Sequence, residues 1–249
     1  MIEIRPVTGI GEVAKGDDPG AVLVEALTRM SLKEGDILVV TQKIVSKAEG
    51  RMVALADVVP GSRATEIAGA IGKDARLVEL VLAESVEVVR AAPGVLITRH
   101  RLGLVMANAG IDASNLGPGH DDFALLLPVD PDASAARIAD AVEAAIGVRP
   151  GVVVSDSFGR PWRHGVVNVA IGCAGIPALY DKRGERDRDG RAMQATLIAY
   201  GDLIASAAGL AMGEGSEGVP AALVRGLVLP GAPCPATALV RAPDEDLFR

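Results

Sequence analysis

The chain is poor in aromatic residues, with one tryptophan, two tyrosines and three phenylalanines among 249 residues. Its core must therefore be aliphatic. Cysteine is scarcer still: Cys173 and Cys234 have no metal-ligand spacing, and a reduced pair fits them better than a lone disulfide. The three histidines, His100, His120 and His164, form no HxxxH or HExxH pairing, which argues against zinc. There is no GxxxxGK(S/T) phosphate loop and no GxSxG elbow, so P-loop nucleotide binding and that form of serine hydrolysis are excluded. No stretch reaches the roughly 18 apolar residues of a membrane span. The opening MIEIRPVTGIGEV lacks the charged start and apolar run of a signal peptide. Basic residues are in the minority, and the net charge of −7 opposes nucleic-acid binding while leaving room for a local cationic pocket. A soluble, cytoplasmic protein is expected.

What is present is a chain with 49% hydrophobic residues, enough for a sizeable core. Strands are expected at 2–7 and 36–42, with a helix between them entered through Asp17, Asp18 and Pro19. Helices follow at 62–72 and 75–85, then a strand at 86–91 and a hairpin over 94–110 turning near Arg101–Gly103. A strand within 121–132 precedes an alanine-rich helix at 133–147, closed by glycine. After strand 151–155 come a loop, a strand at 167–175, the charged turn-rich segment 181–191, a long helix at 192–212 and a strand at 220–229. Residues 236–249 read as a peripheral tail. Strands and helices mix without strict βαβ alternation, which predicts an α+β fold of mixed sheets with flanking helices. No linker or repeat divides residues 1–249, so one unit is expected, built of two interleaved subdomains.

Four clusters could carry chemistry, each at the end of an expected strand or helix. TQKIVSKAEGR (41–51) spaces Lys43 and Lys47 one helical turn apart beside Ser46, which suits phosphate oxygens or a solvated amphipathic turn. ANAGIDASNLGPG (107–119) offers Asp112 and Asn115, hard oxygen donors for Mg²⁺ or Mn²⁺ or else the makings of an Asx turn. SDSFGRPWR (155–163) gathers Asp156, Ser157, Arg160, Trp162 and Arg163 after a buried strand. A carboxylate and hydroxyl at a strand tip can hold a metal with its phosphates, and the arginines can neutralise them; a rigid Gly159–Pro161 turn with Trp162 as core filler is the other reading. MGEGSEGVP (212–220) either lets backbone approach a ligand and supplies Glu214, or is an ordinary helix terminus with a loop. The run GERDRDGR reads as a solvated loop or a substrate-facing lid.

Together VVTQKIVSKAEGR, NAGIDASN, SDSFGRPWRHGVVNVAIG and MGEGSEGVP, in this order and spacing, resemble the gamma-glutamyl ligase family of the deazaflavin coenzyme F-420 pathway. The resemblance spans the first strand to about residue 228. It implies a GTP-dependent ligase that joins L-glutamate to the lactyl carboxylate of the unglutamylated coenzyme and adds further gamma-linked glutamates. It also implies two divalent ions, Mg²⁺ or Mn²⁺, assistance by K⁺, and an intertwined homodimer with a fold unrelated to P-loop proteins. Carried over by motif, Asp112 and Asp156 hold one metal, and Ser157 and Glu214 a second. Nucleotide contacts fall on Ile10, Gly11, Glu12, Val13, Gln42, Lys43, Lys47, Asn115, Gly213, Gly215, Ser216 and Gly218. Arg160 and Arg163 become candidate catalytic residues that neutralise charge. Ser157 stands where relatives often have threonine, GIGEV replaces a more proline-containing version, and Asn168 stands where many relatives have an acid. Two other classes share these features: a metal-dependent phosphohydrolase and a non-catalytic nucleotide-binding module.

Overall fold

A computed structural model describes residues 1–246 apart from 115 and 118. The regular elements, in chain order, are β1 (Glu3–Val7), α1 (Pro19–Thr28), β2 (Ile37–Thr41), α2 (Gln42–Ala48), β3 (Met52–Ala54), α3 (Ser62–Ile71), α4 (Ala75–Ala83), β4 (Ser85–Ala92), β5 (Val95–His100), β6 (Val105–Ala107) and β7 (Phe123–Leu125). They continue with α5 (Pro131–Ile146), β8 (Gly151–Arg160), β9 (Arg163–Ala174), β10 (Tyr180–Asp181), β11 (Leu197–Ile198), α6 (Tyr200–Met212) and β12 (Ala221–Arg225).

Five strands form the main sheet in the order β1-β12-β2-β8-β9. Only β2 and β8 run parallel; the other neighbours are antiparallel. The central strands are apolar at successive positions because both faces of the sheet are covered. On one face Leu38, Val40, Val152 and Val154 pack with Leu23 and Leu27 of α1 and Ile138 and Val142 of α5. On the other, Val39, Val153, Ala222 and Val224 pack with Ile204, Ala205 and Ala208 of α6. Burying each of the larger aliphatic side chains contributes about 1.5–3 kcal/mol, so a core with few rings is sufficient. A second layer, with its own apolar cluster of Ala64, Ala68, Ile71, Val78, Val81 and Leu96, packs α3 and α4 against the three-stranded sheet β4-β5-β6. The α+β class with several sheets and flanking helices is as expected.

Local signals explain the helices. Asp18 caps α1 by accepting from the Gly20 N–H at 2.8 Å, and Asp130 caps α5 through the Ala133 N–H at 3.0 Å. Gly147 ends α5 in the left-handed region, φ 81°, where a Cβ is disfavoured.

Three expectations need correction. The stretch 156–160 is no loop. β8 runs on to Arg160, because residues 155–160 pair with β9, with Asp156 opposite Val169 and Ser157 opposite Asn168. The ribbon turns only at Pro161–Trp162, and Trp162 stands 81% exposed with φ 60°, so it is not core filler. The long helix starts at Tyr200 and not at 192, because Leu197 and Ile198 pair with Asp181 and Tyr180. The last strand stops at Arg225, since Gly226 takes φ 85°. Further along, Ala236 is the buried first residue of a short 3-10 turn, Ala236–Leu239.

Candidate active site

β2 and β8 end side by side, with Thr41 paired to Ser155, and β8 then projects beyond the sheet with β9 as a two-stranded ribbon. The chain leaving β2 enters α2 at once, with the Thr41 hydroxyl accepting from the Lys43 N–H at 3.5 Å. A cleft of about 1680 Å³ opens between this ribbon, α2, segment 10–13, the loop after β6 and the loop after α6. All four sequence clusters, up to 171 residues apart if counted from Thr41 to Met212, meet on its walls.

The two lysines share one face of α2 and line the cleft, as their spacing predicts. Each meets an acid from another segment: Lys43 Nζ lies 2.7 Å from Asp112 Oδ2, and Lys47 Nζ lies 3.2 Å from Glu12 Oε2. Asp112 Oδ1 also accepts from the Ser114 N–H and Oγ, both at 2.8 Å, so the Asx-type turn and the cleft-lining position coexist. Burial raises the Asp112 carboxyl, but hydrogen bonds from Lys43 and Ser114 outweigh it and hold the group below its ordinary value.

Asp156 behaves in the opposite way. Burial pushes its carboxyl up to about 7, and the nearby carboxylates of Asp112 and Glu214 add to this, against the Ser157 N–H and Lys43. Strand alternation separates Asp156 from its neighbour. Asp156 continues the row of Val152, Val154 and Phe158 that packs towards α1 and α5, whereas Ser157 continues the row of Val153 towards α6. On that second face Ser157 Oγ donates to Glu214 Oε2 at 2.5 Å, and Asn168 Nδ2 donates to Glu214 Oε1 at 2.5 Å. Ser157, Asn168 and Glu214 are thus joined on that face, while Asp156 lies close enough to feel the charges of both Asp112 and Glu214.

Arg160 and Arg163 face each other across the end of the ribbon and both line the cleft. Arg160 Nη2 donates to the His164 carbonyl at 2.7 Å, while its buried Nε has no hydrogen-bond partner among the described residues. Ile10, Gly11, Glu12, Val13, Gly213, Gly215, Ser216 and Gly218 also line the cleft. Gln42 is not among its lining residues: it is fully buried, and its Oε1 accepts from Ser46 Oγ at 2.8 Å. Asn115 lies outside the described residues. Sequence reading missed Arg90 of β4 and gave no role to His120, which lines the cleft edge-on to Phe123 with its buried Nδ1 lacking a hydrogen-bond partner among the described residues. Neither carries a local motif; Arg90 reaches the cleft from β4 of the second layer and His120 from the segment between β6 and β7.

Among the described residues no three His, Cys, Asp or Glu side chains converge closely enough to hold a metal by themselves. The donors present are nonetheless hard oxygens, and Asp156 is a carboxyl whose ionisation is opposed by two neighbouring carboxylates. A divalent cation would relieve that opposition, so the residues fit Mg²⁺ or Mn²⁺.

Residues 9–226 match the family model for F420-0:Gamma-glutamyl ligase. The whole chain is 43% identical to the coenzyme F420:L-glutamate ligase of Methanopyrus kandleri, covering 98% of that protein. It is 43% identical to the enzyme of that name from Methanothermobacter thermautotrophicus, over 90% of this chain and 89% of that one. With the Archaeoglobus fulgidus enzyme it shares 41% identity over the full chain and 96% of the relative.

Proposed function

The chain belongs to the F420-0:gamma-glutamyl ligase family, and we propose that it joins L-glutamate to the lactyl carboxylate of coenzyme F-420-0 and then adds further gamma-linked glutamates, at the expense of GTP. The observation that carries this is the meeting of four sequence-distant clusters on one cleft, with Lys43, Asp112 and Glu214 all close enough to Asp156 to act on its charge.

A carboxylate oxygen is a poor leaving group, so amide formation needs activation. The acceptor carboxylate attacks the γ-phosphorus of GTP, the bond to the β-phosphate oxygen breaks, and GDP leaves. The resulting acyl phosphate is attacked by the glutamate amine; the carbon–nitrogen bond forms, inorganic phosphate leaves and the amine gives up a proton. Such a transfer depends on positioning and charge neutralisation more than on a protein nucleophile. Lys43 and Lys47 hold the phosphates from α2, with segment 10–13 and the glycine-rich loop 213–218 closing over the nucleotide. Arg160 and Arg163 balance charge at the ribbon end. Asp112 with Asp156, and Ser157 with Glu214, are the groups that would hold two divalent ions, which when bound supply further neutralisation of the phosphates. K⁺ assistance, a homodimer and a cytoplasmic setting belong to the same reading. For the dimer, α6 offers an apolar stripe in Leu203 and in Leu210, which is 89% exposed. None of the described helices is long and apolar enough to cross a membrane.

Release of GDP is the test. Sustained release over many turnovers should require acceptor, glutamate and Mg²⁺ or Mn²⁺ together, with GTP preferred over ATP. Steady phosphate release from GTP alone would make the protein a phosphohydrolase, and tight GTP binding without any turnover would make it a binding module.

A further inference from the structure

Given the metal-binding role proposed above for Glu214, we propose that Asn168 is its positioning residue and that Gly209 of α6 is the notch that lets Asn168 do this. Glu214 stands on the loop two residues beyond α6, yet its carboxylate is gripped from the ribbon. Ser157 and Asn168 are directly opposed in the β8–β9 register, and each donates to one oxygen of Glu214.

The two donors are not equivalent. The Ser157 hydroxyl has lone pairs and can turn towards a cation. The Asn168 Nδ2 can only donate. It is therefore the contact that persists when Glu214 takes a cation, because a carboxylate oxygen can accept an N–H and still present a lone pair elsewhere.

Asn168 is itself fixed by α6. Ser206 Oγ donates to the Asn168 carbonyl at 2.6 Å. Gly209, one turn further on, leaves open the space in which the amide lies: a methyl group there would collide with Asn168 Nδ2. Glycine inside a helix costs about 1 kcal/mol relative to alanine. A helix that reads YGDLIASAAGLAM, with alanines all around this position, carries that cost at the one residue facing the amide. The path runs from the helix, through β9, to a cleft carboxylate, and neither Asn168 nor Gly209 has to touch the nucleotide.

The test uses the full chain without nucleotide. Mn²⁺ affinity is titrated by the loss of the free-ion electron paramagnetic resonance signal, and melting is followed in EDTA. Asn168→Leu, which removes the donor while keeping the branched side-chain shape, and Gly209→Ala, which displaces the amide, should each weaken Mn²⁺ binding by roughly tenfold or more. Gly209→Ala should melt in EDTA no lower than the wild type, since alanine is the better helix former. That opposition of signs is not what a merely structural role would give. The double variant should bind no more weakly than the weaker single variant, because both substitutions break one path. Wild-type affinity in either folded single variant, or losses that simply add, would overturn the proposal while leaving metal binding intact. A wild-type protein that binds no Mn²⁺ would remove the metal reading and this proposal together.

Discussion

Lys43 Nζ sits 2.7 Å from Asp112 Oδ2, joining the first turn of α2 to a loop 69 positions further along the chain. Both side chains are about one-quarter exposed, so this pair is shielded enough to matter and open enough to exchange partners. In the proposed reaction the lysine can pass to phosphate oxygens only if another cation takes over Asp112. Phosphate binding at α2 and metal binding at Asp112 are therefore expected to support each other.

Lys43→Met should raise the KM for GTP by tenfold or more and leave the KM for glutamate within about twofold, since each charge-assisted contact contributes about 1.5–3 kcal/mol. Initial rates at varied GTP and Mn²⁺ measure this. An unchanged KM for GTP would take Lys43 out of the nucleotide site.

Lys47 is 10% exposed, whereas its partner Glu12 is 78% exposed. The two ends of the pair should therefore respond differently. Lys47→Ala should raise the nucleotide requirement clearly. Glu12→Gln should change folding stability by less than about 0.5 kcal/mol, because an exposed carboxylate gains little from pairing. Nucleotide titration and urea unfolding separate the two, and equal effects would contradict the assignment.

Asp156→Asn should abolish ligation, with kcat/KM down more than about a hundredfold, because a neutral amide is a far weaker ligand for a hard cation. The variant should stay folded. The amide has the shape of the acid, and burial already works against the ionised carboxylate at this position. Near-normal turnover at limiting Mn²⁺ would refute the role.

Away from the cleft, Glu84 accepts from Arg51 Nη2 at 2.7 Å and Arg101 Nε at 3.2 Å, and lies 3.3 Å from His100 Nε2. His100 Nδ1 accepts the Leu102 N–H, which makes Nε2 the protonated nitrogen. Burial raises the Glu84 carboxyl, but the bonds from His100 and Arg51 prevail and lower it to about 2. A depressed folded value gives stability that is complete above the unfolded value near 4.5 and is lost as pH falls towards 2. The wild type should lose on the order of 3 kcal/mol through this group between pH 5 and 2. Glu84→Gln should be less stable at pH 7 and flatter over that acid range. Urea midpoints at pH 3, 5 and 7 measure both, and parallel pH curves would argue against the network.

Much of this was legible in the sequence. The runs DILVV and GVVV were apolar at successive positions because β2 and β8 are covered on both faces, and caps such as Asp18 and Gly147 marked helix ends. The motif clusters pointed to residues that the fold does gather. The ribbon was not legible, because Asp156, Ser157, Gly159 and Arg160 look like turn residues and pair only with β9, which comes later in the chain. The start of α6 was hidden by Leu197 and Ile198, whose strand pairing overrides a helical pattern. Gln42, a nucleotide contact by resemblance, is turned inwards to Ser46 by helix rotation. The bond from Asn168 to Glu214 spans 46 positions and leaves no local trace.

The most direct measurement is mass spectrometry of F-420-0 incubated with the purified protein, L-glutamate, GTP and Mn²⁺, alongside the Asp156→Asn variant. The wild type should shift the acceptor by one or more glutamyl increments and the variant by none. An acceptor of unchanged mass with the wild type, under conditions where the protein is folded and binds GTP, would contradict the ligase assignment.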